Sequence, residues 1–355
     1  MKDMKATLDD VDNLVGRRVF IRVDYNVPID SKGRITDDNR IRQSLETIKY
    51  CISRNAKIIL ASHFGRPEGR EEKYSLEPVA VHLRKLLPKT TIYFASDCVG
   101  DVVENQSRIL KNGEILLLEN TRFYKEEEEN DENFSKWLSR LGDIFVNDAF
   151  GAAHRAHAST VGITKYLPAV AGFLIEKELR FLSAVTVNPV RPLTIICGGA
   201  KVDDKRPIIE SLIDKADNIL IGGKIAQAWK LDKPCKANIV VARDAEFDIN
   251  EETIKEFTEI IDQSGTIFWN GPLGMFENPK YAKGTRAIAE AVSKSHAVSI
   301  VGGGDTASAI AGYEFNHIST GGGASLEFVQ GKELPGISCL LTVTEFNRIE
   351  KERGL

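Results

Sequence analysis

Cysteine is scarce in this chain of 355 residues: there are five, at positions 51, 98, 197, 235 and 339, and none stands in a CxxC pair or another metal-ligand spacing. That scatter excludes a disulfide framework and a cysteine-held metal, and it leaves buried free thiols in a reducing compartment as the expectation. No stretch reaches the roughly 20 apolar residues that span a bilayer. The opening MKDMKATLDDVDN is charged and has no apolar core, so no signal peptide is expected and the cytoplasm is the expected location. Charge of one sign is also lacking. The formal net charge is only -4, which argues against a nucleic-acid partner and makes any basic site local. Three nucleotide and hydrolase signatures are missing as well. There is no GxxxxGK[ST], no spaced GxGxxG with its downstream acid, and no GxSxG elbow.

Apolar mass is sufficient, at 42% hydrophobic residues, and the length suggests two domains. Short β-branched runs alternate with helical patterns almost throughout. RRVFIRVDYNV (17–27), KIILASH (57–63), EILLLEN (114–120), DIFVNDAF (143–150), LTIICGG (193–199), NILIGG (218–223), NIVVA (238–242), TIFWNGP (266–272) and AVSIVGGGD (297–305) are such runs, and all but NIVVA close on a segment with Gly, Asn, Asp or His. Between them lie helical stretches such as SLEPVAVHLRKLL (75–87) and KGTRAIAEAVSKS (283–295). Continuous apolar strands that alternate with helices indicate parallel sheets covered on both faces. The pattern predicts an α/β chain with two Rossmann-like three-layer α/β/α domains. The apolar helical stretch near 168–185 would join them.

Polar residues gather at the carboxyl ends of the strands, where open α/β sheets bind ligands. In the first half these are Arg22, Asp24, Asn26, Arg40, His63, Arg66, Arg122, His154, Arg155 and His157. Arginine suits bidentate binding of phosphate and carboxylate oxygens, and several at successive strand ends suggest an anion pocket. Asp24 and Asn26 could take a hydroxyl. His154 and His157 lack the neighbouring ligands a metal needs, apart from Asp148. The acidic run Glu126–Glu129 reads as solvated surface. In the second half, GGAKVDDK places Lys201 and Lys205 four apart near a helix start, which invites a polyphosphate. IGGK (221–224), VGGGDT (301–306) and WNGPLGMFE (269–277) end further strands. Asp305 could hold Mg²⁺, Thr306 could donate to phosphate, and Asn270 offers an exposed carboxamide beside the carboxylate Glu277. STGGGASLE (319–327) sets three glycines before a helix, where an anion could approach the backbone. An anion site and a polyphosphate site together suggest phosphoryl transfer, and an ionised carboxylate as acceptor would require no general base.

In order, RVDYNVP, SHFGRP, ENTRF, NDAFGAAHRAHAS, GGAKVDDK, WNGPLGMFE, GGGDT and HISTGGGASLEFVQGKELPGI resemble the phosphoglycerate kinase family over nearly the whole chain. The resemblance implies a phosphotransferase with a carboxyl acceptor, moving a phosphoryl group reversibly between 1,3-bisphosphoglycerate and Mg-ADP. It implies a monomer with a cleft between two hinged domains: 1–167 for 3-phosphoglycerate, a helix at 168–185, and 186–330 for the nucleotide. The tail 331–355 would follow a family pattern of return to the N-terminal domain. By similarity, Asp24, Asn26, Arg40, His63, Arg66, Arg122 and Arg155 bind 3-phosphoglycerate. Gly199, Lys201, Lys205, Gly222, Gly223, Asn270, Pro272, Glu277, Gly302, Gly303, Gly304, Asp305 and Thr306 bind ATP or ADP, with Asp305 on Mg²⁺. Arg40, Lys201, Gly321, Gly322 and Gly323 would stabilise the moving group. A non-catalytic phosphoglycerate-binding protein is the alternative, but it would not need Lys201, Arg40, Asp305 and the three glycines together. The chain is shorter than is usual for the family between IGGKIAQAWK and DAEFDINEET. The wall around the base would then be reduced and GTP used nearly as well as ATP, unless Trp229 refills the gap.

Overall fold

The computed structural model describes residues 4–200, 202–230, 234–242 and 247–353. Two compact units divide the chain. One is Met1–Lys177 with Leu334–Leu355, the other Glu178–Glu333. Among the described residues no helix is long and apolar enough to cross a membrane.

The first unit holds a six-stranded parallel sheet of β1 (Arg18–Val23), β2 (Lys57–Ala61), β3 (Ile92–Phe94), β4 (Ile115–Leu117), β5 (Ile144–Asp148) and β6 (Ala169–Ala171), in the order β3-β4-β2-β1-β5-β6. The second holds β7 (Leu193–Cys197), β8 (Asn218–Ile221), β9 (Asn238–Val241), β10 (Thr266–Asn270), β11 (Val298–Gly302) and β12 (His317–Ser319), in the order β12-β11-β10-β7-β8-β9. All pairings within both sheets are parallel. The apolar runs explain the layering. Every residue of β5, β7 and β10 is buried, as a strand covered on both faces must be. The helix Lys283–Lys294 buries Gly284, Thr285, Ile288, Ala289 and Val292, one stripe at helical spacing. Asn250 caps the helix Glu251–Asp262 by accepting from the Thr253 N–H at 2.9 Å. The strand order reverses between β1 and β5 in one sheet and between β7 and β10 in the other. Within each sheet, the switch point puts the loops after its two flanking strands beside one another.

The stretch expected to form one helix at 168–185 is a strand and then a helix. Ala169–Ala171 pairs with β5 as β6, and the helix runs Phe173–Thr186. Gly172 makes the turn between them. A Cβ there would lie 2.3 Å from Asp148 Oδ1, so only glycine passes. The division between units falls inside this helix, after Lys177, rather than at its ends. Leu334–Leu355 groups with the first unit. There the Leu341 carbonyl accepts from the Ala6 N–H at 2.8 Å, Asn147 Nδ2 donates to the Gly336 carbonyl at 2.8 Å, and Arg17 pairs with Glu350 at 2.6 Å.

Asp148, at the end of β5, holds the start of the helix by accepting from the Leu174 N–H at 2.9 Å. Burial pushes its carboxyl up to about 7, against hydrogen bonds from Thr47, Leu174 and Ile175 that act the other way. The folded state therefore binds this proton more tightly than the unfolded chain. The associated stability is complete in acid, below the unfolded value of 3.8, and is lost as pH rises to about 7. Asp148→Asn should flatten that fall. Urea unfolding midpoints from about pH 4 to about pH 7 measure it, and an unchanged slope would show that another group is responsible.

Candidate active site

In the first unit the site grows from one buried cation. β1 reads RVFIRV, and Arg22 interrupts its apolar residues yet is wholly buried. Its Nε donates to Ser159 Oγ at 2.8 Å, and one terminal nitrogen lies 3.1 Å from His63 Nδ1 at the end of β2. Arg40 opens the helix Asn39–Ser53 and donates to Asp24 Oδ2 at 2.9 Å and to the Asn26 carbonyl at 3.2 Å. Asn26 Oδ1 in turn accepts from the Gly65 N–H at 3.0 Å. Arg122, which follows β4, is buried, donates to the Gly65 carbonyl at 2.8 Å and pairs with Glu128 at 2.9 Å. Arg155 Nε donates to His154 Nε2 at 3.2 Å, and Arg66 is exposed on the loop after β2.

The electrostatics confirm the convergence. Burial drives the His63 ring well below its usual range, and the charges of Arg22, Arg122, Arg155 and Arg40 push the same way. His157 falls to about 3, through burial first and then Arg22, Arg122 and Arg155. Four guanidinium groups thus act on one neutral histidine at the carboxyl edge of the first sheet. Sequence reasoning put Glu126–Glu129 on the surface, but Glu127 is wholly buried and accepts from both the backbone N–H and the hydroxyl of Ser159. An arginine inside an apolar strand was the available sign that an acid must be buried nearby.

In the second unit, steric crowding organises the site. Gly271 has φ +95°, and a Cβ there would lie 2.1 Å from the Gly198 carbonyl oxygen. A Cβ on Gly198 would lie 2.2 Å from the Pro272 carbonyl oxygen. The turns after β7 and β10 therefore pack backbone on backbone. Asn270 was expected to expose its carboxamide. It is instead buried between them: Nδ2 donates to the Gly302 carbonyl at 2.6 Å, and Oδ1 accepts from Lys205 Nζ. Thr306 was expected to reach phosphate, yet its hydroxyl donates to the Gly302 carbonyl at 3.0 Å and accepts from the Gly271 N–H at 2.7 Å. Lys201 lies outside the described residues.

A cavity of about 220 Å³ opens on Gly199, Gly223, Pro272, Glu277 and Asp305. Its apolar side is Phe247, Met275 and Phe276, and Met275 donates its N–H to the Phe247 carbonyl at 2.8 Å. Trp229, expected as a possible wall, is nearly buried, with the Arg206 guanidinium 6.0 Å from its ring, and it is not among the described residues that line the cavity. Gly222 precedes the helix Gly223–Ala228, and Gly303 and Gly304 open the helix Gly304–Ala309. After β12, Glu178 Oε1 accepts from the Thr320 N–H at 3.0 Å, while Oε2 lies 2.9 Å from His317 Nε2. This fixes the entry to Gly321–Gly323. Gly322 has φ +52° with nothing within 4 Å of an added Cβ, so its glycine serves backbone conformation beside open space.

Thr306→Val tests how the two turns are held. It keeps the volume but leaves the buried Gly271 N–H without an acceptor, a loss of about 1–3 kcal/mol. Chemical denaturation should show that loss, and unaltered stability would mean that the turns hold without this hydroxyl.

The comparisons agree with this architecture. The family model described as "Phosphoglycerate kinase" matches residues 8–239 and 232–332. A phosphoglycerate kinase of Finegoldia magna is 47% identical over 392 residues, covering 95% of this chain and 99% of that protein. One of Coprothermobacter proteolyticus is 45% identical over 378, covering 92% and 96%. Both alignments are longer than this chain, and the two family-model stretches overlap at 232–239, within the second unit. Among solved structures, phosphoglycerate kinase from Coxiella burnetii has a TM-score of 0.84 at 36% identity and covers 96% of this chain and 99% of its own. That from Pyrococcus horikoshii has a TM-score of 0.82 at 30% identity and covers 96% and 100%. Two six-stranded parallel sheets, their ligand-ready strand ends and these matches over nearly the full length lead to one assignment: the chain belongs to the phosphoglycerate kinase family.

Proposed function

We infer that the protein transfers a phosphoryl group reversibly between 1,3-bisphosphoglycerate and ADP, giving 3-phosphoglycerate and ATP. The observation that carries this reading is the convergence of Arg22, Arg40, Arg122 and Arg155 on His63 in a chain of this family. In the first unit, Arg66, Arg122, Arg155 and His63 would bind the phosphate and carboxylate of 3-phosphoglycerate. Asp24 and Asn26, fixed by Arg40 and Gly65, would orient its hydroxyl. Arg40 would neutralise charge on the transferred group. The acceptor carboxylate is ionised at neutral pH, so the protein's work is positioning and charge neutralisation.

In the second unit, Lys201, Lys205 and the turns at Gly199, Gly222–Gly223 and Gly302–Gly304 would hold the nucleotide phosphates, and Gly321–Gly323 the moving phosphoryl group. Asn270 and Thr306 act by holding these turns together, and Pro272 and Glu277 line the nucleotide cavity. Among the described residues no group of three or more His, Cys, Asp or Glu is placed to hold a metal. Asp305, exposed at the cavity, fits Mg²⁺, which takes one or two carboxylates and leaves the rest to phosphates and water. When bound, the ion would offset the charge of the phosphates.

Two measurements test the reading. Phosphorylation of 3-phosphoglycerate by ATP and Mg²⁺, coupled to a dehydrogenase, should show turnover, and none with any nucleoside triphosphate would overturn the assignment. In the same assay Arg66→Ala should raise the KM for 3-phosphoglycerate and spare that for ATP, because a ground-state phosphate contact is uniform binding.

Base recognition follows from the cavity walls. With Phe247 and Met275 as its apolar side, GTP should be used within about tenfold of ATP in kcat/KM, about 1.4 kcal/mol. Phe247→Ala should raise the KM for both nucleotides, whereas Trp229→Ala should leave it unchanged. A preference for ATP above about a hundredfold, or a nucleotide KM that responds to Trp229 and not to Phe247, would refute this account.

A further inference from the structure

Four side chains of the first unit form a chain of hydrogen bonds whose direction is forced at every link. Glu127 accepts twice from Ser159, through the backbone N–H at 2.9 Å and through the hydroxyl. With its proton committed to Glu127, the Ser159 oxygen is free to accept, and Arg22 Nε donates to it at 2.8 Å. A guanidinium has only donors, so the Arg22 nitrogen 3.1 Å from His63 Nδ1 must donate, and Nδ1 must be the bare nitrogen of the ring. A neutral imidazole bare at Nδ1 carries its proton on Nε2. Glu127, Ser159 and Arg22 are wholly buried and His63 nearly so, so water offers no alternative partners.

We propose that Glu127 is a positioning residue for the reaction, acting through Ser159 and Arg22 to fix His63 as a neutral ring whose single donor is Nε2–H. The inference rests on the reading that His63 serves the 3-phosphoglycerate site. A ring so fixed donates to an anionic oxygen and cannot turn its bare nitrogen towards it. The groups facing the ring are Arg22, Arg122, Arg155 and Arg40, and they oppose its protonation. Asp24 and Arg155 also act on Arg22, and His157 Nδ1 stands 4.0 Å from Glu127 Oε1. The ring therefore remains a donor of constant charge at neutral pH. Among the described residues no hydrogen bond or ion pair joins Glu127 to those assigned to the acid substrate, so a survey of substrate contacts would miss it.

The test uses the full-length protein labelled with ¹⁵N-histidine, with His63→Gln to assign its ring. Long-range ¹⁵N–¹H correlation spectra distinguish the two neutral tautomers and the cation. Wild type should show the Nε2–H pattern for His63 unchanged from about pH 6 to about pH 8. A His63 proton on Nδ1, or a charged ring in that range, would overturn the proposal. Glu127→Gln removes the acceptor charge, and Ser159→Ala cuts the link while keeping both charges, so it carries the test if the first variant does not fold. Each should mix the His63 tautomers and raise the KM for 3-phosphoglycerate about tenfold, with kcat and the KM for ATP within about twofold. A folded variant that keeps the wild-type tautomer overturns the positioning role. Mixed tautomers with an unmoved KM for 3-phosphoglycerate support the positioning, and the assignment of His63 to the substrate site then fails instead.

Discussion

A guanidinium withdrawn entirely from water has to be met on each side by acceptors or by opposite charge, because desolvating an ion costs several kcal/mol. Arg22 imposes that requirement on the first unit. The Val23 carbonyl, His63 and Ser159 answer its three nitrogens, and Glu127 answers its charge through Ser159. These partners come from β1 itself, from the end of β2, from the segment after β5 and from the acidic stretch near 127. One buried cation thereby ties together the separate pieces of chain that carry His63, Arg66, Arg122 and Arg155. The same burial keeps the histidines uncharged, so the positive potential belongs to the arginines, whose charge does not vary near neutral pH.

The second unit reaches a comparable precision by a different means. Its central turns carry few charges and almost no side-chain volume. Gly198 and Gly271 let two turns touch through their backbones, and Gly303 sits against the Asn270 carboxamide, which a Cβ would meet at 2.9 Å. Asn270 and Thr306 then spend their polar atoms on the backbone of these turns. A carboxylate acceptor needs no base, so moving a phosphoryl group to it asks only for positioning and charge neutralisation. The cavity beside these turns takes its apolar side from Phe247, Met275 and Phe276.

The α/β class and the gathering of function at strand ends were legible because both are local patterns. Fully buried parallel strands read as unbroken apolar runs, and most runs closed on the polar residues that now edge a sheet. The motifs at 22–26, 63–66, 120–122, 198–205, 269–277 and 302–306 carried the family likeness in order. The boundaries near 168–185 were not legible, since apolar residues that suit a helix equally suit a short edge of a sheet. Gly172 and the bulk of Asp148 decide where one ends and the other begins.

The sequence by itself determined which residue types stand at the strand ends, and so the chemistry available: arginines for anions, glycines for close backbone approach, one acid for a cation. Only the tertiary structure decided which polar groups face a ligand and which are consumed internally. Asn270 and Thr306 turned inward, Glu127 left an apparently solvated run for the core, and Trp229 yielded the cavity wall to Phe247. The physical reason is common to all four. A side chain's role follows from the partners and the space that distant segments bring to it, and neither is recorded in its neighbours along the chain.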